Sequence, residues 1–457
     1  MYRKNAWKKY DAAKEKEVMK FAEGYKEFLS NSKTERLAAR EAVKRLEEHG
    51  YVNASQVNSL NPGDKVYFVN KNKNVCAFVI GSRPIKEGLR ILGAHIDSPR
   101  IDFKEHPLYE KSEFAYADTH YYGGIKKYQW VTIPLALHGV ICKKDGSTVE
   151  VNIGESDKDP IVGISDLLVH LAADQMQKPG AKVIEGEALD VTLGSKPLKG
   201  KEGSAVKANV LKILEKKYGI EEEDLLSAEI EVVPAGKARD YGLDSSMVAG
   251  YGHDDRSCAF TSLMALLEVE NPEYTGCCIL VDKEEIGSVG ATGAHSVFFE
   301  NCIARILCLS KASSNGLYFD VRETMENSRM LSSDVSAGFD PLYPSAFDPV
   351  NSAYFSYGIV FNKYTGARGK SGSNDANPEY YSWIRKVMDE AEVSWQNAEL
   401  GRVDQGGGGT IAYILGNYNM NVIDAGIPVL NMHAPMEIVS KADIYEAYRG
   451  YLAFLKA

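Results

Sequence analysis

The rhythm of apolar and polar positions changes three times along the chain. Residues 11 to 50, rich in Lys, Glu and Ala, predict helix. Asp64 to Ile80 alternates, as in Val66-Tyr67-Phe68-Val69 and Cys76-Ala77-Phe78-Val79-Ile80, and predicts strand. Leu89 to Leu92 predicts a short apolar strand running into Gly93-Ala94-His95-Ile96-Asp97. From about Lys104 to Val233, short strand-like runs at Trp130 to Leu135 and Thr148 to Val151 alternate with Gly, Asp and Lys turns, and a Gly194 to Lys201 loop interrupts them. After Asp240 a strand, loop, helix order recurs. Cys277 to Val281, Ile303 to Leu309, Gly358 to Phe361 and Ile427 to Leu430 each predict a buried strand. Asn377-Pro378-Glu379 predicts a helix start, with Tyr381, Ile384, Met388 and Ala391 on one face. The last helix is predicted from Ser440, with Asp443 three residues on and Ile444, Tyr448, Tyr451 and Leu455 at helical spacing.

Apolar strands alternating with amphipathic helices imply an α/β sheet covered on both faces. The middle segment reads as an insertion. Residues 1–104 plus 239–457 are expected to form one domain, and 105–238 a β-rich second one. At 457 residues, two domains is also the expectation from length.

Composition narrows the chemistry. Hydrophobic residues at 44% and charged residues at 25% suit a globular enzyme, and a net charge of -10 argues against a nucleic-acid partner. No apolar run reaches the roughly 18 residues of a membrane span, and the N-terminal stretch lacks a signal-peptide core, so neither is expected. The seven cysteines are odd in number and form no C-x-x-C pair, which points to a reducing, cytoplasmic setting. A metal site here is then built from His and carboxylates.

Five places put a metal-capable side chain at or near a predicted strand end, where α/β proteins gather ligands. They are His95-Ile96-Asp97, His253-Asp254-Asp255, Asp282-Lys283-Glu284-Glu285, Asp334, and His433 after Val429-Leu430. An acid two residues from a histidine can fix its ring tautomer. Adjacent carboxylates at a helix start suit its positive end. Of two neighbouring glutamates, one can bind metal while the other takes a proton. Taken singly, the reading as a loop hydrogen bond, a helix cap, a solvated loop, a turn residue or a core histidine is level or ahead at each place. Together they give His, Asp, Glu, Asp, His without Cys, the donor set of a co-catalytic pair of Zn²⁺, Co²⁺ or Mn²⁺ ions.

That order, with Gly-Ala-His-Ile-Asp-Ser-Pro-Arg, Asp-Lys-Glu-Glu-Ile-Gly-Ser and Met-His-Ala-Pro-Met-Glu, resembles the M18 (aspartyl aminopeptidase) family over nearly the whole chain and, more distantly, M42 and M28 metallopeptidases. The resemblance implies a central mixed sheet flanked by helices, carrying the metallopeptidase site, and an inserted β-rich dimerisation domain. It implies a cofactor of two divalent ions, zinc before cobalt or manganese. Asp254 would bridge them, His95 and Asp334 would complete one, and Glu285 and His433 the other. Glu284 would be the base, and Asp97, also catalytic, would orient His95. Asp255 would stand behind the ligands, and His170 would reach the partner's active site across a dimer. The implied activity removes N-terminal residues from peptides with a free N-terminus, in a homo-oligomer of dimers assembled to a dodecamer.

Where several aspartyl aminopeptidases have a histidine three residues after the fourth ligand, this chain has Ala337, which weakens any strict acidic preference. Lys363, Arg368 and Lys370 offer cations for an acidic side chain, Lys370 being a candidate substrate contact. Gly406 to Thr410 lacks phosphate-loop spacing, and its glycines are expected to let backbone approach the substrate. Two other readings are a catalytically silent assembly protein and a two-metal deacylase. Retention of all five ligand types opposes the first, and aminoacyl-p-nitroanilides against N-acyl amino acids would separate the second.

Overall fold

The computed structural model describes residues 4–457. The chain divides into two compact units: residues up to Asp97 with Ala238–Met432 and Glu437–Ala457, and Ser98–Lys237 with His433–Met436.

The first unit is built on a nine-stranded mixed sheet. Its order is Val52–Asn53, Lys65–Asn70, Asn74–Val79, Thr275–Val281, Leu89–His95, Arg329–Ser332, Asn421–Gly426, Ile359–Asn362 and Trp395–Asn397. The four strands from Thr275–Val281 to Asn421–Gly426 run parallel. Their near-continuous apolar character follows from burial on both faces. In Asn74–Val79, Val75, Ala77 and Val79 enter one core, while Cys76 and Phe78 enter the other. A second sheet of five strands, Arg239–Tyr241, Met247–Gly250, Glu437–Ser440, Pro428–Leu430 and Ser336–Ala337, belongs to the same unit.

Several local expectations change. The helix predicted over 11 to 50 is two, Ala12–Asn31 and Glu35–Glu48. Asp11 caps the first and Thr34 the second, each side chain accepting a backbone N–H, so capping chemistry at Thr34 restarts the chain. Ile303 to Leu309 is not a strand but the end of the helix Phe298–Leu309. Phe299, Cys302, Ile303, Ile306 and Leu307 are its buried face, the 3.6-residue period that a seven-residue apolar run conceals. Trp130 to Leu135 is also not a strand: Thr132 has φ 59°, and regular pairing starts only at Leu135. Ile427 to Leu430 supplies the strand Pro428–Leu430, in the smaller sheet. The last helix, Lys441–Leu455, starts where predicted, but Asp443 does not cap it. Its carboxylate accepts the backbone N–H of Ser356 at 2.6 Å and of Gly358 at 2.7 Å.

The second unit carries a six-stranded antiparallel sheet in the order Thr148–Ile153, Leu135–Cys142, Ala228–Pro234, Arg100–Lys111, Phe114–Tyr122 and Val191–Gly194. One helix, Ala205–Tyr218, starts on the Glu110 carboxylate, which accepts the N–H groups of Val206 and Lys207.

Candidate metal centre

Three neighbouring parallel strands deliver one side of the site. Val281 lies opposite His95 in the register, and Ser332 lies opposite Gly93. The residues just beyond these ends therefore come level: Glu284 and Glu285 from one strand, His95 and Asp97 from the next, Asp334 from the third. Asp254 and Asp255 arrive from the opening of the helix His253–Leu267, where both have left helical φ/ψ.

His95 is the centre of the cluster. Its Nε2 lies 3.1 Å from Asp254 Oδ1 and 3.9 Å from both Glu284 Oε2 and Asp334 Oδ1. Two sets of potential ligand atoms each fit within 4.8 Å: His95, Glu284 and Asp334, and His95, Asp254 and Glu285. The ring donates from Nδ1 to the Asp97 main-chain carbonyl at 3.0 Å, with the Asp97 carboxylate at 3.2 Å. That bond keeps a proton on Nδ1, so with a metal present Nε2 is the nitrogen left to bind it.

Asp97 does more than orient the imidazole. Its Oδ1 accepts the backbone N–H of Glu284 at 3.1 Å and its Oδ2 that of Glu285 at 3.2 Å. The two glutamates sit in a 3-10 turn, Glu284–Ile286, entered through Lys283 at φ 67°. About 120° of rotation per residue separates their side chains in such a turn.

The electrostatics ask for a cation. Burial, then the Asp255, Glu284 and Asp254 carboxylates, push Asp334 well above the ordinary range, although His95 pulls it down. Burial, with Asp254 adding to it, does the same to Asp255, whose Oδ2 accepts the His95 backbone N–H. Burial alone lowers the His95 pKa, but hydrogen bonds to Asp254 and Asp97 carry it well above its usual value. One imidazole with the four carboxylates of Asp254, Glu284, Glu285 and Asp334 is a donor set of borderline nitrogen and hard oxygen, which fits divalent zinc, cobalt or manganese.

His433 belongs to the second unit, where its Nδ1 donates to the Gly124 carbonyl at 2.7 Å. Both Asn431 and His433 have positive φ, 62° and 67°, a conformation costly for such residues and common at functional loops. His170 is exposed in the short 3-10 helix Val169–Leu171 of the same unit. Lys370 is exposed in the first unit. It pairs with Asp375 at 3.0 Å and lies 3.6 Å from the centre of the Tyr364 ring. Lys363 pairs with the same Asp375, so the two lysines share one carboxylate. Gly406 and Gly407 do not open space for a substrate. A Cβ would stand 1.7 Å from Leu400 O at the first and 2.0 Å from Gly366 O at the second, so the glycines let loops of this chain pack together.

Two residues escaped sequence reasoning. Glu437 is buried and accepts the Asp254 backbone N–H at 3.1 Å. Its motif was visible, but not its target. At Gly426 a Cβ would lie 1.6 Å from Asp334 O, so only glycine lets that strand pass beside the acid.

A mixed α/β unit with this acidic, histidine-centred cluster at the carboxyl ends of its parallel strands is a metal-dependent hydrolase. The chain belongs to the M18 family: the family described as Aminopeptidase I zinc metalloprotease (M18) matches residues 28–455. It is 58% identical to a probable M18 family aminopeptidase 1 of Clostridium acetobutylicum, covering 99% of this chain and 98% of that one. The crystal structure of an M18 aminopeptidase from Thermotoga maritima matches with a TM-score of 0.96 at 45% identity, covering 100% of this chain and 99% of the other. The S. cerevisiae mApe1 dodecamer shares the fold, with a TM-score of 0.76 at 19% identity over 95% of this chain and 96% of that one. The chain is accordingly an aminopeptidase, a metal-dependent hydrolase of peptide bonds.

Proposed function

We propose that the cluster holds two divalent ions, zinc in preference to cobalt or manganese, and releases the N-terminal residue of peptides. In this reading Asp254 would serve both ions, His95 and Asp334 would hold one, and Glu285 and His433 would hold the other. Ions held there would supply Lewis acidity toward a water and the scissile carbonyl. Glu284 is placed to take a proton from the attacking water and return it to the departing amine. Asp97 holds the His95 tautomer and the backbone of both glutamates. The substrate's free α-amino group sets the register of cleavage. The observation that carries the reading is the convergence of Asp254, Glu284, Glu285 and Asp334 on His95 in two groups of atoms able to hold a metal ion.

The first unit reads as the catalytic domain, with the architecture of M28 and M42 zinc peptidases, and the inserted unit as the dimerisation domain. Leu167, Leu168, Val169, Leu171 and Met176 are exposed in one short stretch of that insertion, an apolar strip that a second copy would cover. His170, inside the strip, would then serve the partner's active site. Assembly of dimers to a dodecamer follows the yeast relative. The seven cysteines are all free, in keeping with a cytoplasmic setting. Lys370, sharing the Asp375 carboxylate with Lys363, favours neutral alongside acidic N-terminal residues.

The test is removal and restoration of metal beside two substitutions. Excess chelator should abolish hydrolysis of aminoacyl-p-nitroanilides, and Zn²⁺, Co²⁺ or Mn²⁺ should restore it. Glu284→Gln should keep its metal and lose about 10²–10⁴-fold in kcat, since only proton transfer is removed. Glu285→Gln should lose metal. Full activity of both variants would end the two-metal reading.

A further inference from the structure

Asp254 lies at the opening of the helix His253–Leu267, where the main chain has left helical geometry. Its φ/ψ of -82°, 104° and those of Asp255, -119°, 29°, interrupt the helix His253–Leu267. A buried backbone N–H outside a helix or ladder needs another acceptor. Here the acceptor is a carboxylate: Asp254 N–H donates to Glu437 Oε2 at 3.1 Å. Glu437 is 1% exposed and opens the strand Glu437–Ser440. That strand pairs antiparallel with Met247–Gly250 and sets Glu437 opposite Gly250, four residues ahead of Asp254. The register of the small sheet therefore fixes where the carboxylate meets the ligand's backbone.

The residue before Asp254 is fixed from another direction. The Tyr25 hydroxyl, from the helix Ala12–Asn31, lies 2.5 Å from His253 Nδ1, and both side chains are buried. The His253 carbonyl accepts the Ser257 hydroxyl at 2.7 Å. Side chain and main chain of the residue ahead of the ligand are thus both held. The Asp254 N–H lies in the same peptide plane as the His253 carbonyl, so the Ser257 hydroxyl holds that plane at one edge and Glu437 at the other.

We propose that Glu437 is a positioning residue of the metal centre: its carboxylate grips the Asp254 backbone so that the Asp254 side chain is held where it would serve as a metal ligand. The proposal rests on the two-ion reading above. Glu437 contributes an acceptor at a stated atom. Replacing it by glutamine keeps an acceptor oxygen of the same reach, whereas alanine or methionine removes it. Partners that orient ligands from behind typically change metal affinity by about 10- to 100-fold when removed.

The experiment measures zinc affinity by competition with a chromophoric chelator, beside thermal melting, for the full-length wild type, Glu437→Gln, Glu437→Ala and Glu437→Met. Expected are zinc affinities within about threefold of wild type for Glu437→Gln and about 10- to 100-fold weaker for Glu437→Ala and Glu437→Met. Melting of the zinc-free Met variant should stay close to that of wild type. Equal weakening in Glu437→Gln and Glu437→Met would show that charge, not the hydrogen bond, matters, and would overturn the proposal. Undiminished affinity in Glu437→Met would overturn it too. If the Ala and Met variants do not fold, Glu437→Gln alone decides, and a loss of tenfold or more refutes the idea. A wild type that takes up no zinc would instead remove the two-ion reading itself.

Discussion

Asp97→Asn is the substitution that asks most of this geometry. Asp97 is fully buried, and its two carboxylate oxygens serve two different backbone N–H groups, Oδ1 that of Glu284 and Oδ2 that of Glu285. An asparagine has a single acceptor oxygen. Whichever way its amide turns, the NH₂ faces a backbone donor, and one of the two N–H groups loses its acceptor. If the oxygen stays near His95 Nδ1, the position that Oδ1 occupies at 3.2 Å, Glu285 is the one released. A hydrogen bond to a charged acceptor contributes about 1.5–3 kcal/mol. With about 1.4 kcal/mol per factor of ten, kcat/KM should fall roughly 10- to 150-fold. The His95 tautomer should survive, because Nδ1 also donates to the Asp97 main-chain carbonyl, which the substitution leaves in place. Steady-state kinetics on an aminoacyl-p-nitroanilide, with metal content by atomic emission and melting on the same samples, make the measurement. A folded, metal-loaded variant within about threefold of wild type would refute the clamp on the glutamate turn.

Two further outcomes are expected. Light scattering should give at least a dimer, and charge at Leu168 or Leu171 should reduce the mass, whereas a monomer at working concentration would remove the role given to the insertion. Asp424 is pushed up to about 7 by burial, with Thr410 and Ser332 hydroxyls opposing, so its folded pKa exceeds its unfolded value. Its contribution to stability is then full below about pH 4 and is lost as pH rises through about 7. Melting curves of wild type and Asp424→Asn should diverge over that window in favour of the variant. Parallel curves would show that Asp424 does not titrate there.

Much of this protein is written locally. The apolar runs at Cys277 to Val281 and Leu89 to Leu92 could hardly be anything but buried strands, and each is followed at once by acids or histidine. That is why His95, Asp97, Glu284, Glu285 and Asp334 were legible: in a parallel sheet the residues after each strand end emerge on one edge, whatever the register. Helix ends with a local acceptor, such as Asp11 and Thr34, follow from neighbouring residues too, although the break at Thr34 needed the structure to be seen. Where two periods fit a short run, as at Ile303 to Leu309, the sequence alone could not choose, and packing of Phe299, Cys302 and Ile306 decided for helix.

Partners distant along the chain belong wholly to the tertiary structure. Asp443 resembles a capping acid by spacing, yet it holds backbone 87 and 85 residues away. Glu437 closes a legible motif but acts on Asp254, 183 residues earlier. Lys363 and Lys370 look like free cations until Asp375 is placed between them. The physical reason is common to all three. Side-chain type and spacing fix which hydrogen bonds and ion pairs a residue is able to make, but only the folded register fixes which group stands within 3 Å to receive them.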